Sequence, residues 1–224
     1  MMQATGRGSS DAYQRLRADM VERQIRRRGI HDERVLLAMA MLPRHEFVPA
    51  ALRDEAYDDR ALPIGEGQTI SQPYMVGLML SLLKLEPEHR ALEIGAGSGY
   101  VAALLGMLCA EVYAVELVDD LADRARKTVA RVGLTNVRII AGDGSLGHPE
   151  GAPYDRILVS AAAPAMPPPL VEQLAEGGRL VAPVGGRSVQ TCEIHTKQRG
   201  QLHLERSIDC VFVPLLGEHG WKDR

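Results

Sequence analysis

Glycines alternate at 95, 97 and 99 in Ala91-Leu-Glu-Ile-Gly-Ala-Gly-Ser-Gly-Tyr100, after a short apolar run and before an Ala/Leu-rich stretch. Glycine at such positions removes the side chains that would keep a ligand off the backbone, and a helix starting near Tyr100 aims free N–H groups into the same space. The pattern is that of a nucleoside-cofactor site. The dinucleotide fingerprint G-x-G-x-x-G requires its third glycine at position 100, yet Tyr stands there. A pyrophosphate ligand is therefore disfavoured. A Gly-rich turn between strand and helix is also open to a plain packing role.

Read with Glu93, the stretch is E-x-G-x-G-x-G, which resembles the first motif of the S-adenosylmethionine-dependent methyltransferases. A carboxylate there attracts an amino acid's ammonium group, directly or through water, and repels a phosphate. The next apolar run, Glu111-Val-Tyr-Ala-Val-Glu-Leu117, places Glu116 roughly 20 residues past the first glycine, where this architecture puts the acid that accepts from ribose hydroxyls. A third run ends in Gly142-Asp-Gly144, which sets Asp143 at the same edge, within reach of an adenine amino group. Taken singly, each acid could equally cap a helix or lie in a solvated turn.

These residues need a sheet to carry them. The chain has 224 residues, 46% hydrophobic and 25% charged, which suits a single domain over 1–224. Residues 1–73 are expected to form N-terminal helices and a long loop, and 74–224 a Rossmann-like core. Net charge is −3 with both signs dispersed, so no basic face recommends nucleic acid, and the run Arg23 to Arg28 reads as a solvated helix face. The three cysteines lack C-x-x-C spacing, which points to a reducing cytoplasm. No window approaches 18 apolar residues and no N-terminal basic-plus-apolar segment is present, so a soluble protein with no membrane partner is expected. The seven histidines never take i, i+4 spacing, and no metal site is expected.

Residues 1–10 are small and polar, and fraying is expected there. A helix from Asp11 carries Leu16, Met20 and Ile25 on one stripe and stops at Gly29; Asp32 caps a second helix that ends before Pro43. Between Pro43 and Pro73 the pattern is irregular, with a short helical piece near 51–57, and a loop of that length is usually functional. Pro73 opens a helix with an apolar stripe of Met75, Leu78, Met79, Leu82 and Leu83. Thr69 and Ser71 stand just before it, where a hydroxyl could cap it. Strands at 90–94, 111–116, 136–141, 154–160 and 178–184 alternate with helices to about 109, at 119–132 and at 167–175. This predicts a doubly wound, mostly parallel α/β sheet. Residues 189–196 and 202–213, joined across Lys197-Gln-Arg-Gly200, leave no room for a crossover and should form an antiparallel pair at the sheet edge.

From about residue 20 to 216 the chain also resembles the bacterial protein-L-isoaspartate O-methyltransferase family. The matching stretches include Asp32-Glu-Arg-Val35, Pro43-Arg-His-Glu-Phe-Val48, Gly67-Gln-Thr-Ile-Ser-Gln-Pro73, Leu92-Glu-Ile-Gly-Ala-Gly-Ser-Gly-Tyr100, Gly177-Gly-Arg-Leu-Val-Ala-Pro-Val-Gly185 and Phe212-Val-Pro-Leu215. The Gly-Gln-Thr-Ile-Ser-Gln-Pro block is specific to that family, and it moves Ser71 from capping residue to active-site residue. The resemblance implies methyl transfer from S-adenosylmethionine to the free α-carboxylate of L-isoaspartyl residues in damaged proteins, yielding S-adenosylhomocysteine and starting repair through a succinimide. It implies a cytoplasmic monomer, a cofactor held by Gln68, Thr69, Ile70, Ser71, Glu93, Gly95, Ala96, Gly97, Gly99, Glu116, Leu117, Asp143 and Gly144, and a substrate held by Thr69, Ser71, Ala161 and Val213. Ser71 would be catalytic, orienting the carboxylate.

The resemblance breaks at Ser145-Leu-Gly-His148, where an aromatic or large residue is usual and a more open adenine wall is expected, and at Val211, where many members carry Arg. Two other functions fit parts of the sequence: a methyltransferase for small molecules or RNA, and a cofactor-binding regulator without catalysis. The Thr69-Ile-Ser71 block stands against the first. The intact glycines, three carboxylates and Ser71 stand against the second.

Overall fold

The structure, a computed structural model, describes residues 6–223. Helix α1 (Gly6–Asp19) starts earlier than the Asp11 expected, and the first five residues of the stretch expected to fray lie outside the described residues. The helix then widens into a π-type turn over Met20–Ile25 and tightens through Arg26–Arg28, ending at Gly29 with φ 94°. Met20 and Ile25 are buried, their i, i+5 spacing matched by the widened turn, but Leu16, one turn earlier on the regular helix, is exposed. Asp32 caps α2 (Glu33–Met41) by accepting from the amides of Arg34 and Val35 at 3.1 and 3.2 Å.

The segment expected to be irregular contains two 3₁₀ turns, Arg44–Phe47 and Ala50–Glu55, followed by a hairpin of β1 (Leu62–Gly65) and β2 (Gln68–Ile70). Gly65, Glu66 and Gly67 all have positive φ at its tip. Two glycines make that tight reversal feasible. Helix α3 (Pro73–Leu83) buries Met75, Met79, Leu80 and Leu83. Its Gly77 packs so closely on the N-terminal helices that a Cβ would lie 3.0 Å from Ile25.

Strands β3 (Arg90–Ile94), β4 (Glu111–Glu116) and β5 (Val137–Ala141) then alternate with α4 (Tyr100–Leu108) and α5 (Asp119–Arg131). Beyond them lie β6 (Tyr154–Val159), the short α6 (Pro168–Glu172), β7 (Leu174–Gly185), β8 (Gln190–Gln198) and β9 (Gln201–Cys210). The sheet order is β5-β4-β3-β6-β7-β8-β9, parallel through β7 and antiparallel across β8 and β9, as expected for a doubly wound fold with an antiparallel edge pair.

Boundaries in the C-terminal part also differ from expectation. The helix expected over 167–175 ends at Glu172, because Leu174 already pairs with Tyr154 and starts β7. The last strand ends at Cys210 rather than Val213. The chain then leaves the sheet edge and crosses the end of β6, where the Ala162 amide donates to the Val213 carbonyl at 2.7 Å.

Alternation puts Ala91, Val112, Ala114 and Leu158 on the face covered by α3 and α4, and Leu92, Ile94, Val115 and Ile157 on the other. The chain turns from β3 to β4 on one side and later returns to β6 on the other, so the carboxyl ends of β3 and β6 form the switch point where such sheets bind ligands. No helix among the described residues is long and apolar enough to cross a membrane.

Candidate cofactor cleft and substrate cavity

The glycine loop leaves β3 with Gly95, Gly97 and Gly99 at φ of 84°, 52° and 83°, a backbone course that other residues adopt only under strain. The amides of Gly95 and Ala96 donate to the Val115 carbonyl at 2.8 and 3.2 Å, tying the loop to β4. The three glycines divide in function. A Cβ on Gly99 would lie 3.1 Å from both Ala125 and Val129, so this glycine lets α5 pack closely. Around Gly97 only the Ile64 methyl comes within 4 Å, and Gly97 borders an open cleft.

That cleft lies at the carboxyl ends of β3, β4 and β6. Of the residues singled out from the sequence, Gln68, Thr69, Gly95, Gly97, Glu116, Leu117, Gly144, Ala161 and Val213 line it. Ile70, Ala96 and Gly99 do not: Ile70 pairs with Leu62 in the hairpin and turns into the core. Ser160, expected only as part of the small-residue stretch 160–164 that leaves space for substrate, is itself a wall residue, and so are Leu215 and Leu216, which were not expected. Ser160 was legible in principle, since it follows β6 at the switch point; the two leucines depend on the tail's crossing, which no local pattern records.

Glu116 is 6% exposed and bonded on both oxygens, one accepting the Gly97 amide at 2.8 Å and the other the Val118 amide at 3.0 Å. An ionised carboxylate has further lone pairs facing the cleft. Glu93 lies one layer deeper, 1% exposed, off the cleft wall. One of its oxygens accepts the Ser160 hydroxyl at 2.9 Å and the other has no partner among the described residues. Burial, followed by the nearby Glu116 charge, pushes the Glu93 carboxyl well above its usual range despite the Ser160 bond.

Asp143 is also off the wall. One oxygen accepts both the amide and the hydroxyl of Ser145, at 2.9 and 2.7 Å, and the other accepts the Glu218 amide at 2.7 Å. It fastens the C-terminal tail beside Gly144. Partial burial works against ionisation, but the Ser145 hydroxyl and the two amides outweigh it and hold the carboxyl below its usual value.

Ser71 lies in a second, larger cavity with Arg28, Asp59, Gln72 and Tyr74. It does not cap α3. Asp59 does so from a distance, accepting the Tyr74 amide at 3.3 Å and the Gln72 side chain at 2.9 Å. The Ser71 hydroxyl makes no hydrogen bond among the described residues, so it is free for a ligand. Arg28 pairs with Asp59 at 2.6 Å and stacks over the Tyr74 ring at 3.5 Å, forming one rim. Thr69, Ser160 and Val213 belong to both cavities and form the partition between them.

A switch-point cleft with a glycine loop and a carboxylate at the end of the next strand, beside a second chamber, defines a class I S-adenosylmethionine-dependent methyltransferase. The profile of the protein-L-isoaspartate(D-aspartate) O-methyltransferase (PCMT) family matches residues 15–220, and the chain belongs to that family. It is 53% identical over 213 residues to a protein-L-isoaspartate O-methyltransferase of Methanoculleus marisnigri, covering 95% of this chain and 97% of that one. With one from a Roseiflexus species it shares 55% over 194 residues, covering 87% and 89%. A solved protein-L-isoaspartate O-methyltransferase superposes with a TM-score of 0.80 at 28% identity, over 92% of this chain and 66% of that one. A Plasmodium falciparum protein of the same class, solved with S-adenosyl-L-homocysteine, gives a TM-score of 0.77 at 29% identity, over 89% and 98%.

Proposed function

We propose that the chain transfers a methyl group from S-adenosylmethionine to the free α-carboxylate of L-isoaspartyl residues in damaged proteins and peptides, giving an ester that can close to a succinimide. The observation that carries this reading is the shared partition: one chamber has the glycine loop and Glu116, the other has the unbonded Ser71 hydroxyl, and Thr69, Ser160 and Val213 join them.

The cleft suits the cofactor. Gly97 presents open backbone, Glu116 lies on the wall where it would accept from a ribose, and Glu93, one layer behind the wall with an unpartnered oxygen, would draw an ammonium group through water. When bound, S-adenosylmethionine supplies a methyl group made electrophilic by its sulfonium. Gln68, Thr69, Gly95, Gly97, Glu116, Leu117 and Gly144 would hold it. Asp143, with both oxygens bonded to Ser145 and Glu218, would act on the adenine end indirectly, by holding the tail beside Gly144.

The acceptor needs little activation. An α-carboxyl has a pKa of about 3.3–3.7 and is ionised at neutral pH, so no strong general base is required. Ser71 donates a hydrogen bond that turns one carboxylate oxygen toward the partition, at the positive end of α3. Thr69, Ala161 and Val213 exclude water and restrict the approach angle. The opposite charges of nucleophile and sulfonium cancel during transfer, so a dry partition favours the transition state.

Purified protein should methylate a synthetic isoaspartyl peptide and leave its normal aspartyl twin untouched. Equal labelling of both peptides, or of neither, would overturn the assignment.

A further inference from the structure

Arg44 is fully buried and has no acidic partner among the described residues. Its Nε donates to the Ala56 carbonyl at 2.7 Å, and its Nη2 to the Ser71 carbonyl at 2.8 Å. The guanidinium carbon lies 5.0 Å from the Tyr100 ring centroid, and Tyr100 in turn meets Phe47 edge-on at 5.4 Å. Nη1 and the Tyr100 hydroxyl have no hydrogen-bond partner among the described residues.

A buried cation with two carbonyls, one aromatic face and no salt bridge among the described residues, only the more distant Asp59 charge acting on it, is a poor stabilising device; an apolar side chain of that volume would serve a plain core as well. Its two bonds, however, go to particular places. Ala56 ends the turn that leads into Asp59 and Arg60 of the substrate cavity, Ser71 is in that cavity, and Tyr100 begins the helix that follows the glycine loop. One rigid fork spans all three segments.

We infer that Arg44 is a positioning residue for the methyl transfer, fixing Ser71 relative to the glycine loop through the Ser71 carbonyl. This rests on the role proposed above for Ser71. A displacement of about 1 Å at a reacting centre can cost on the order of 100-fold in rate, which is the error that an untethered loop would admit. Lysine has a single ammonium on a flexible stem and cannot hold two carbonyls in the fixed geometry of a guanidinium.

The test is a double-mutant cycle on the isoaspartyl peptide: Arg44→Lys and Arg44→Met, each alone and combined with Ser71→Ala, with thermal melts and cofactor titrations alongside. Arg44→Lys should lower kcat/KM about 10-fold in the parent, with unchanged cofactor affinity, and less than about 2-fold once Ser71 is Ala, because the fork then has nothing to aim. Arg44→Met should lose more. If Met prevents folding, the Lys cycle decides. Equal losses from Arg44→Lys in both backgrounds, or parental kcat/KM in the single variant, would overturn the inference while leaving Ser71 in place. Parental turnover in Ser71→Ala alone would remove the Ser71 role, and this inference with it.

Discussion

The Glu116 carboxylate accepts the Gly97 amide at 2.8 Å, so the acid that ends β4 also holds the loop that ends β3. Glu116→Ala should therefore harm cofactor binding twice, by removing the proposed ribose acceptor and by loosening Gly97. Hydrogen bonds to charged groups are worth about 1.5–3 kcal/mol each, so titration calorimetry should register a loss of tenfold or more. Glu116→Gln and Glu116→Asp should lose less, the former because one oxygen can still serve either Gly97 or Val118. Parental affinity in the Ala variant would show that Glu116 is only a loop strut.

Neighbouring glycines should respond differently. Gly97→Val puts a branched side chain at φ 52° and into the cleft, and should abolish cofactor binding in a folded protein. Gly99→Ala presses instead on Ala125 and Val129 at 3.1 Å, and should lower the melting temperature with little change in cofactor affinity. Circular-dichroism melts beside cofactor titrations separate the two effects. Similar profiles for both variants would contradict this division.

Glu93 gives a pH signature. Its carboxyl is raised in the folded protein, so its stabilising contribution is present below the unfolded value of about 4.3 and is lost as pH rises through the folded one. An incoming ammonium group reverses the preference and drives ionisation. Cofactor binding should then release protons between the usual Glu pKa and the raised one, seen as buffer-dependent binding enthalpy, and Glu93→Gln should remove that dependence. Binding enthalpies independent of buffer in the parent would place the ammonium elsewhere.

Asp143 works with the opposite sign. Its lowered carboxyl contributes stability above the unfolded value of about 3.9, and that contribution disappears as pH falls through the folded one. Asp143→Ala should free the tail: hydrogen exchange at Glu218 and His219, whose amides now bond to Asp143 and Ser145, should quicken at neutral pH. Unchanged protection there would mean that the tail is held by Trp221 and Leu215 alone.

Much of this was legible because the cues are local. Branched apolar runs gave the parallel strands, Asp32 its cap, and the glycine loop with Glu116 the cofactor end of the site. What escaped depends on distant contacts. The β1–β2 hairpin is hidden by its shortness and by a proline in β1, and the capping of α3 by Asp59 rather than by a hydroxyl of the adjoining block depends on a contact across the loop. The wall residues Leu215 and Leu216, and the tether from Arg44, follow from where the tail and the Pro43–Phe47 turn come to rest. Pattern and propensity carry no record of those placements.

The most direct measurement is steady-state methyl transfer by Ser71→Ala, Ser71→Thr and Ser71→Cys to an isoaspartyl peptide, with the aspartyl twin as control. Removing a well-placed donor from a reacting oxygen costs on the order of 100-fold, so Ser71→Ala should lose about that much in kcat/KM while keeping its fold and its cofactor affinity. Thr should retain part of the activity because it keeps the hydroxyl, and Cys, a weak donor, should resemble Ala. Near-parental kcat/KM in the Ala variant, or comparable methylation of the aspartyl twin by the parent, would contradict the account.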